Sequence, residues 1–244
     1  MARPVPEPHS ASDGEGAGEA PRIDLYFWPT PNTRKVAIFL EEAGLPYRTV
    51  LVDITSGDQH DPAFRVISPN GRIPALVDRR NDPPVQIFES CAILLHLAEA
   101  DGRFMPTDPQ GRAAVSQWLF WQAAGLGPMA GQLSHFVNYA PSENVYSRER
   151  YASEYDRLLS VMDGQLQREP FLAGAYSIAD MACFPWVLTY RALEASLEGK
   201  PGLRRWFDLM KARPAVRRAV ELGSDLAERR PKLSKDARKV LFGQ

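Results

Sequence analysis

The chain has 244 residues, with 29 Lys and Arg against 30 Asp and Glu, a formal net charge of -1, and 44% hydrophobic content. That balance is ordinary for a globular protein and lacks the basic surplus of a general nucleic-acid binder. No apolar run approaches the roughly 18 residues a membrane helix needs. The two cysteines, Cys91 and Cys183, make neither a disulfide framework nor a four-ligand metal site. A reducing, cytoplasmic setting is expected, with no nucleic acid, membrane or metal involved.

Residues 1–22 are Pro, Gly, Ala, Ser and acid, with too little apolar surface to offset ordering entropy, and read as a disordered extension. Ile23 to Trp28 is a short aromatic-rich strand closing at Pro29. Val36, Ile38, Phe39, Leu40 and Ala43 recur at helical spacing until Gly44 stops them. Tyr47 to Ile54 reads as a second strand. Ile73 to Val77 and Val85 to Phe88 flank an Asn-, Asp- and Pro-rich turn and suggest a hairpin, and Ser90 to Ala100 reads as an amphipathic helix. Residues 23–104 are therefore a small α/β layer unit.

After a linker at 105–110 the period changes. Trp118, Leu119 and Trp121, then Tyr151, Tyr155, Leu158, Leu159, Met162 and Leu166, follow spacings of three and four, which predicts an all-α domain over 111–222. Ser177 and Asp180 fit a capping box ahead of a buried central helix that Pro185 should bend. The basic tail, 223–244, reads either as a small helix on the body or as a solvated run remote from the site.

Three segments of the first half carry the chemistry. Trp28 to Thr33 lies at a strand end and helix mouth, where backbone N–H groups and the helix dipole stabilise an anion, a thiolate included. Thr30 and Asn32 stand where a redox Cys-x-x-Cys pair would, so any thiolate comes from a ligand; they serve either as its hydrogen-bond partners or as ordinary caps. In the second segment, Ser68 to Asp78, a cis Pro74 would leave the Ile73 backbone free to pair with an extended peptide, with Arg72 beside it for a carboxylate. In the third, the Ser90 hydroxyl and the first N–H groups of a helix receive a carboxylate, while Glu89 accepts from an ammonium group. Together they describe a zwitterionic thiol tripeptide.

Residues 23–222 resemble the glutathione transferase family in the order Ile73-Pro74, Glu89-Ser90 and the Ser177–Asp180 cap. Pro29-Thr30-Pro31-Asn32, Trp118 to Gln122 and Gly125 to Gln132 look like the bacterial Nu class of glutathione-dependent disulfide-bond reductases. The resemblance implies an α/β thioredoxin-like N-terminal domain, an all-α C-terminal domain and a homodimer. It also implies one or two bound glutathiones, or glutathione disulfide. Thr30 and Asn32 would sit near the sulfur, Ile73 would pair with the cysteinyl unit, and Glu89 with Ser90 would hold the γ-glutamyl end. Gln59, Arg72 and Arg150 would hold the polar ends. The implied activity is disulfide reduction without a protein nucleophile. Conjugation of electrophiles and non-catalytic glutathione binding are the alternatives.

Other chemistry-bearing residues read as structural. Cys91 turns about 100° from Ser90 and faces the core, Cys183 lies in an apolar helix, and Tyr26 packs inside its strand. His60, His96 and His135 show no metal spacing, although His135 is placed to line a second-substrate pocket.

Overall fold

The structure, a computed structural model, describes residues 21–140, 142, 144–228 and 235–242. The extension expected over 1–22 falls outside them except for Pro21 and Arg22.

Four strands, β1 (Ile23–Phe27), β2 (Arg48–Leu51), β3 (Ala75–Asp78) and β4 (Val85–Phe88), form one sheet in the order β2-β1-β3-β4. β1 runs parallel to β2 and antiparallel to β3, with Leu25 opposite Thr49 and Leu76. β4 returns antiparallel along β3, with Leu76 opposite Ile87. Alternation assigns the faces of β1. Ile23, Leu25 and Phe27 enter the main core, whereas Tyr26 turns to the opposite face and packs on Phe64, ring centroids 5.6 Å apart.

Helix α1 (Pro31–Ala43) begins at Thr30, whose hydroxyl and that of Thr33 cap each other's backbone N–H groups. It ends at Gly44 in the left-handed region at φ 62°. The short helix α2 (Pro62–Ile67) covers the Tyr26 face; α3 (Ser90–Asp101) joins α1 on the other. This is the expected thioredoxin-like layer, with two differences. β2 ends at Leu51, three residues short of the predicted strand, because the Asp53 carboxylate takes the Thr55 and Ser56 N–H groups and closes a turn. The α2 helix between β2 and β3 was not anticipated.

The second half is helical: α4 (Pro109–Trp121), α5 (Gly127–Asn138), α6 (Val145–Leu166), α7 (Ile178–Leu188), α8 (Pro201–Ala212) and α9 (Pro214–Glu221). A π-helical turn over Gln122–Leu126 joins α4 to α5. Pro128 has no N–H to return to the preceding turn, which is a local reason for the altered ladder. The expected cap of α7 is present, with Asp180 Oδ2 accepting from the Ser177 N–H at 3.0 Å. Asp180 Oδ1 also accepts from Trp206 Nε1 at 2.8 Å and from the Leu172 N–H at 3.0 Å. Burial raises the Asp180 carboxyl to about 6 against those donors. α1 packs against both α7 and α9, and one hydrophobic core runs from the sheet through the helices.

Beyond α9 lie α10 (Ser224–Glu228) and α11 (Lys235–Phe242). The tail therefore has a helix near its end, and that helix is not remote from the site.

Candidate active site

A cleft of about 780 Å³ opens at the mouth of α1, between the sheet edge and the helices. Thr30, Asn32, Gln59, Arg72, Ile73, Glu89 and Ser90 all line it, so seven of the eight residues predicted from sequence converge. Arg150 does not. It is exposed on α6 and 3.9 Å from Glu154 one turn on, outside the cleft of the single chain.

At the α1 mouth, Thr30 is the cap that the alternative reading allowed, with its Oγ1 3.5 Å from the Thr33 N–H and 3.1 Å from Thr33 Oγ1. Thr33 Oγ1 donates to the Trp28 carbonyl, which closes the turn. With the Thr33 proton committed to Trp28, the Thr30 O–H donates to Thr33 Oγ1, and a ligand anion at the helix mouth would draw that proton toward itself. Pro31 has no N–H, Thr33 N–H goes to Thr30 Oγ1 and Arg34 N–H returns to Thr30 O at 3.1 Å, so among the described residues the Asn32 N–H is the uncommitted donor of that first turn. The Asn32 side chain is held by a residue that sequence reasoning treated as core. Trp186 Nε1 on α7 donates to Asn32 Oδ1 at 3.1 Å, which aims the Asn32 Nδ2 group away from the indole. The three donors suit a thiolate, and no cysteine stands among them.

The Ile73–Pro74 bond is cis, as expected, and so is Asp82–Pro83. β3 begins only at Ala75, and among the described residues neither the N–H nor the C=O of Ile73 has a hydrogen-bond partner. Ser68 Oγ donates to Arg72 O at 2.8 Å and holds this turn. Gly71, at φ 60°, lets the turn approach the Gln59 carbonyl; a Cβ there would stand 3.1 Å from that oxygen. Gln59 is buried, with its Oε1 unpartnered among the described residues. Arg65, not singled out from sequence, and His60, weighed there only as a metal ligand, also line the cleft. Among the described lining residues Glu89 is the one acid, against the cations Arg65 and Arg72.

Glu89 caps α3 with φ 72°, a left-handed backbone that costs a non-glycine residue on the order of 1 kcal/mol and marks strain at the site. Ser90, the first residue of α3, is 7% exposed. Behind it lies a smaller compartment of about 350 Å³, sharing Asn32, Glu89, Ser90 and Trp186 with the cleft. Lys35 and Gln122 line it; neither was anticipated. Cys91 is half-buried there, 3.3 Å from Gln122 Oε1, and burial raises its thiol pKa despite nearby Lys35. Cys183 is wholly buried, and its thiol is raised further.

Val240 and Leu241 of α11 line the cleft, and Val240 stands next to Gly57. The tail thus reaches a site it was expected to leave alone. His135 packs edge-on against Phe136 and is not among the residues lining the cleft. His96 pairs with Asp78 at 2.9 Å. No group of three or more potential metal ligands occurs among the described residues.

Two family models, the N-terminal and C-terminal domains of glutathione S-transferase, match residues 30–100 and 146–221. The disulfide-bond oxidoreductase YfcG of Escherichia coli (strain K12) is 46% identical over 213 residues, 84% of this chain and 99% of that one. A glutathione transferase from Burkholderia graminis, solved with two glutathione molecules per subunit, superposes with a TM-score of 0.79 at 41% identity, covering 82% of this chain and 88% of that one. One from Pseudomonas putida, solved with one glutathione disulfide per subunit, has a TM-score of 0.78 at 38% identity, covering 83% and 92%. The chain belongs to the glutathione S-transferase family.

Proposed function

We propose that this chain is a glutathione-dependent disulfide-bond oxidoreductase in which glutathione supplies the reacting thiol. One observation carries the reading: the helix mouth presents Thr30, the Asn32 amide and the Asn32 N–H to an incoming sulfur, and holds no cysteine. YfcG's name describes the same activity, and the Burkholderia and Pseudomonas enzymes hold the tripeptide or its disulfide.

In this reading Glu89 and Ser90 receive the γ-glutamyl ammonium and carboxylate. The Ile73 backbone pairs with the cysteinyl unit, and Gln59 with Arg72 meets the glycyl end. The donors at α1 stabilise the thiolate, and lowering a thiol pKa from about 8.5 toward 7 raises its ionised fraction severalfold at neutral pH. The thiolate attacks one sulfur of a substrate disulfide. A glutathione–substrate S–S bond forms, the original S–S bond breaks, and the departing thiolate takes a proton from solvent. A second glutathione thiolate attacks the glutathionyl sulfur, releasing the remaining substrate thiolate and leaving glutathione disulfide. The substrates are small disulfides, and the assembly is a homodimer.

Parallel turnover assays with a dialkyl disulfide and an aryl halide test this. The disulfide should be turned over faster, and Asn32→Ala should lose about tenfold to a hundredfold, the worth of a charge-assisted hydrogen bond. Faster reaction of the aryl halide would make the protein a conjugating transferase. Parental turnover in Asn32→Ala would show that the thiolate is held elsewhere.

A further inference from the structure

Lys35 is 2% exposed on the cleft side of α1, at the seam between the sheet layer and the helices. Its Nζ donates to Ser90 Oγ at 3.2 Å and to Gln122 Oε1 at 2.6 Å. Among the described residues no carboxylate lies within ion-pair distance of it. A buried ammonium without a counter-ion is costly, and a packing role would be served as well by Met or Leu. Burial accordingly lowers the Lys35 pKa. Cys91 and Glu89 on the α3 side and Cys183 on α7 face it and act in the opposite direction.

The hydrogen-bond directions define what this cation does. An ammonium only donates, so Ser90 Oγ accepts from Lys35 and must turn its own proton elsewhere. Ser90 lines the cleft, so that proton has two places to go, the weakly accepting Cys91 sulfur beside it and a ligand oxygen in the cleft, and an anionic ligand is the stronger acceptor. Gln122 fixes the other side. Its Oε1 accepts from both Lys35 and Cys91, while its buried Nε2 has no partner among the described residues. A flipped amide would set N–H groups against the ammonium, so the unpartnered orientation is the one the charge selects.

We propose that Lys35 is a positioning residue: from behind Ser90 it commits that hydroxyl to donate forward, and it supplies the buried positive charge that a ligand carboxylate at Ser90 neutralises. The inference rests on the glutathione reading above. The carboxylate completes an ion pair through one hydroxyl that the protein lacks by itself, so binding recovers part of the cost of burying Lys35 and discriminates for a carboxylate at that end.

The test compares S-methylglutathione with its analogue in which hydrogen replaces the γ-glutamyl α-carboxylate, by calorimetry on the full chain. The parent should prefer the carboxylate ligand by about tenfold to a hundredfold. In Lys35→Met the preference should fall to a few-fold, with the analogue's own affinity nearly unchanged, and Lys35→Arg should restore part of it. Equal weakening of both ligands in Lys35→Met would make Lys35 a structural tether and overturn the proposal. Should Lys35→Met fail to fold, Lys35→Gln decides, because it keeps a polar group in the seam without the charge. A preference reduced to a few-fold there supports the relay, and a parental preference overturns it. A preference lost in Ser90→Ala but kept in Lys35→Met would sink this inference and leave the glutathione reading standing. A parent that binds neither ligand would sink the reading itself.

Discussion

Replacing Trp186 with Phe isolates how Asn32 is aimed. The substitution keeps an aromatic ring beside Gly131, where the indole edge lies 3.6 Å from the position of an added Cβ, and removes the 3.1 Å bond from Nε1 to Asn32 Oδ1. An uncharged hydrogen bond contributes about 0.5–1.5 kcal/mol net. If that energy restrains the amide in its donating orientation, kcat/KM for a small disulfide should fall by roughly twofold to tenfold. The glutathione KM should stay within about twofold, because Glu89, Ser90 and the Ile73 backbone lie apart from the indole bond. A thiolate that loses a donor needs a higher pH to form, so the acid limb of the kcat/KM profile should move upward. Steady-state kinetics across pH supply both readings. Trp186→Phe combined with Asn32→Ala should be no worse than Asn32→Ala alone, since the indole acts through that amide. Parental kinetics in Trp186→Phe, or independent losses in the pair, would refute the chain of reasoning.

Cys91→Ser with Cys183→Ala should keep at least about half the disulfide turnover, since neither thiol stands at the α1 mouth; a hundredfold loss with unchanged circular dichroism would put a protein thiol in the reaction. Gly202→Ala should destabilise the protein by about 1–3 kcal/mol or more in urea melts, because its Cβ would lie 2.6 Å from the Gln167 backbone N and 2.7 Å from the Leu166 carbonyl carbon. Burial alone would raise the Asp78 carboxyl, but hydrogen bonds from Arg80 and His96 reverse this and hold it well below the usual carboxylate range. Its stability contribution is thus present above the unfolded value of about 3.9 and fades as pH falls through the depressed folded value, so the cost of Asp78→Asn in urea melts should shrink in acid. Truncation after Glu228 removes Val240 and Leu241 from the cleft and should weaken an apolar S-alkylglutathione by roughly threefold to tenfold more than glutathione, as measured by competition binding.

The parts of the site that a reader of the sequence recovers are those whose chemistry is local. Thr30 caps its own helix, Ile73 precedes its own proline, and Glu89 with Ser90 starts its own helix; each signal spans a few residues. Lys35 and Gln122 are 87 residues apart, and each sits in a helix where a polar residue ordinarily faces water. Only the seam between the two halves turns them toward each other. Trp186 was hidden for the opposite reason, because an indole inside Met-Ala-Cys-Phe-Pro-Trp reads as core and its single N–H has no sequence signature. The α2 helix did carry a signal in Asp61-Pro62, an N-cap followed by a first-turn proline, but six residues are too few for periodicity. In the tail the charge outweighed two apolar residues, and charge alone does not say which side of a helix meets the cleft.

The continuous core has a consequence for how this protein melts. α1 is shared property: its buried side packs on the sheet, on α3, on α7 and on α9, so neither half retains a finished interior when the other opens. Unfolding should accordingly be a single cooperative event and not two successive ones. A ligand seated at the α1 mouth then protects regions it never touches. At a hundred times its dissociation constant it adds about 2.7 kcal/mol, and hydrogen exchange should slow in α8 and α9 as much as in the strands beside the cleft. Glutathione supply would in this way set the lifetime of the whole chain as well as its turnover.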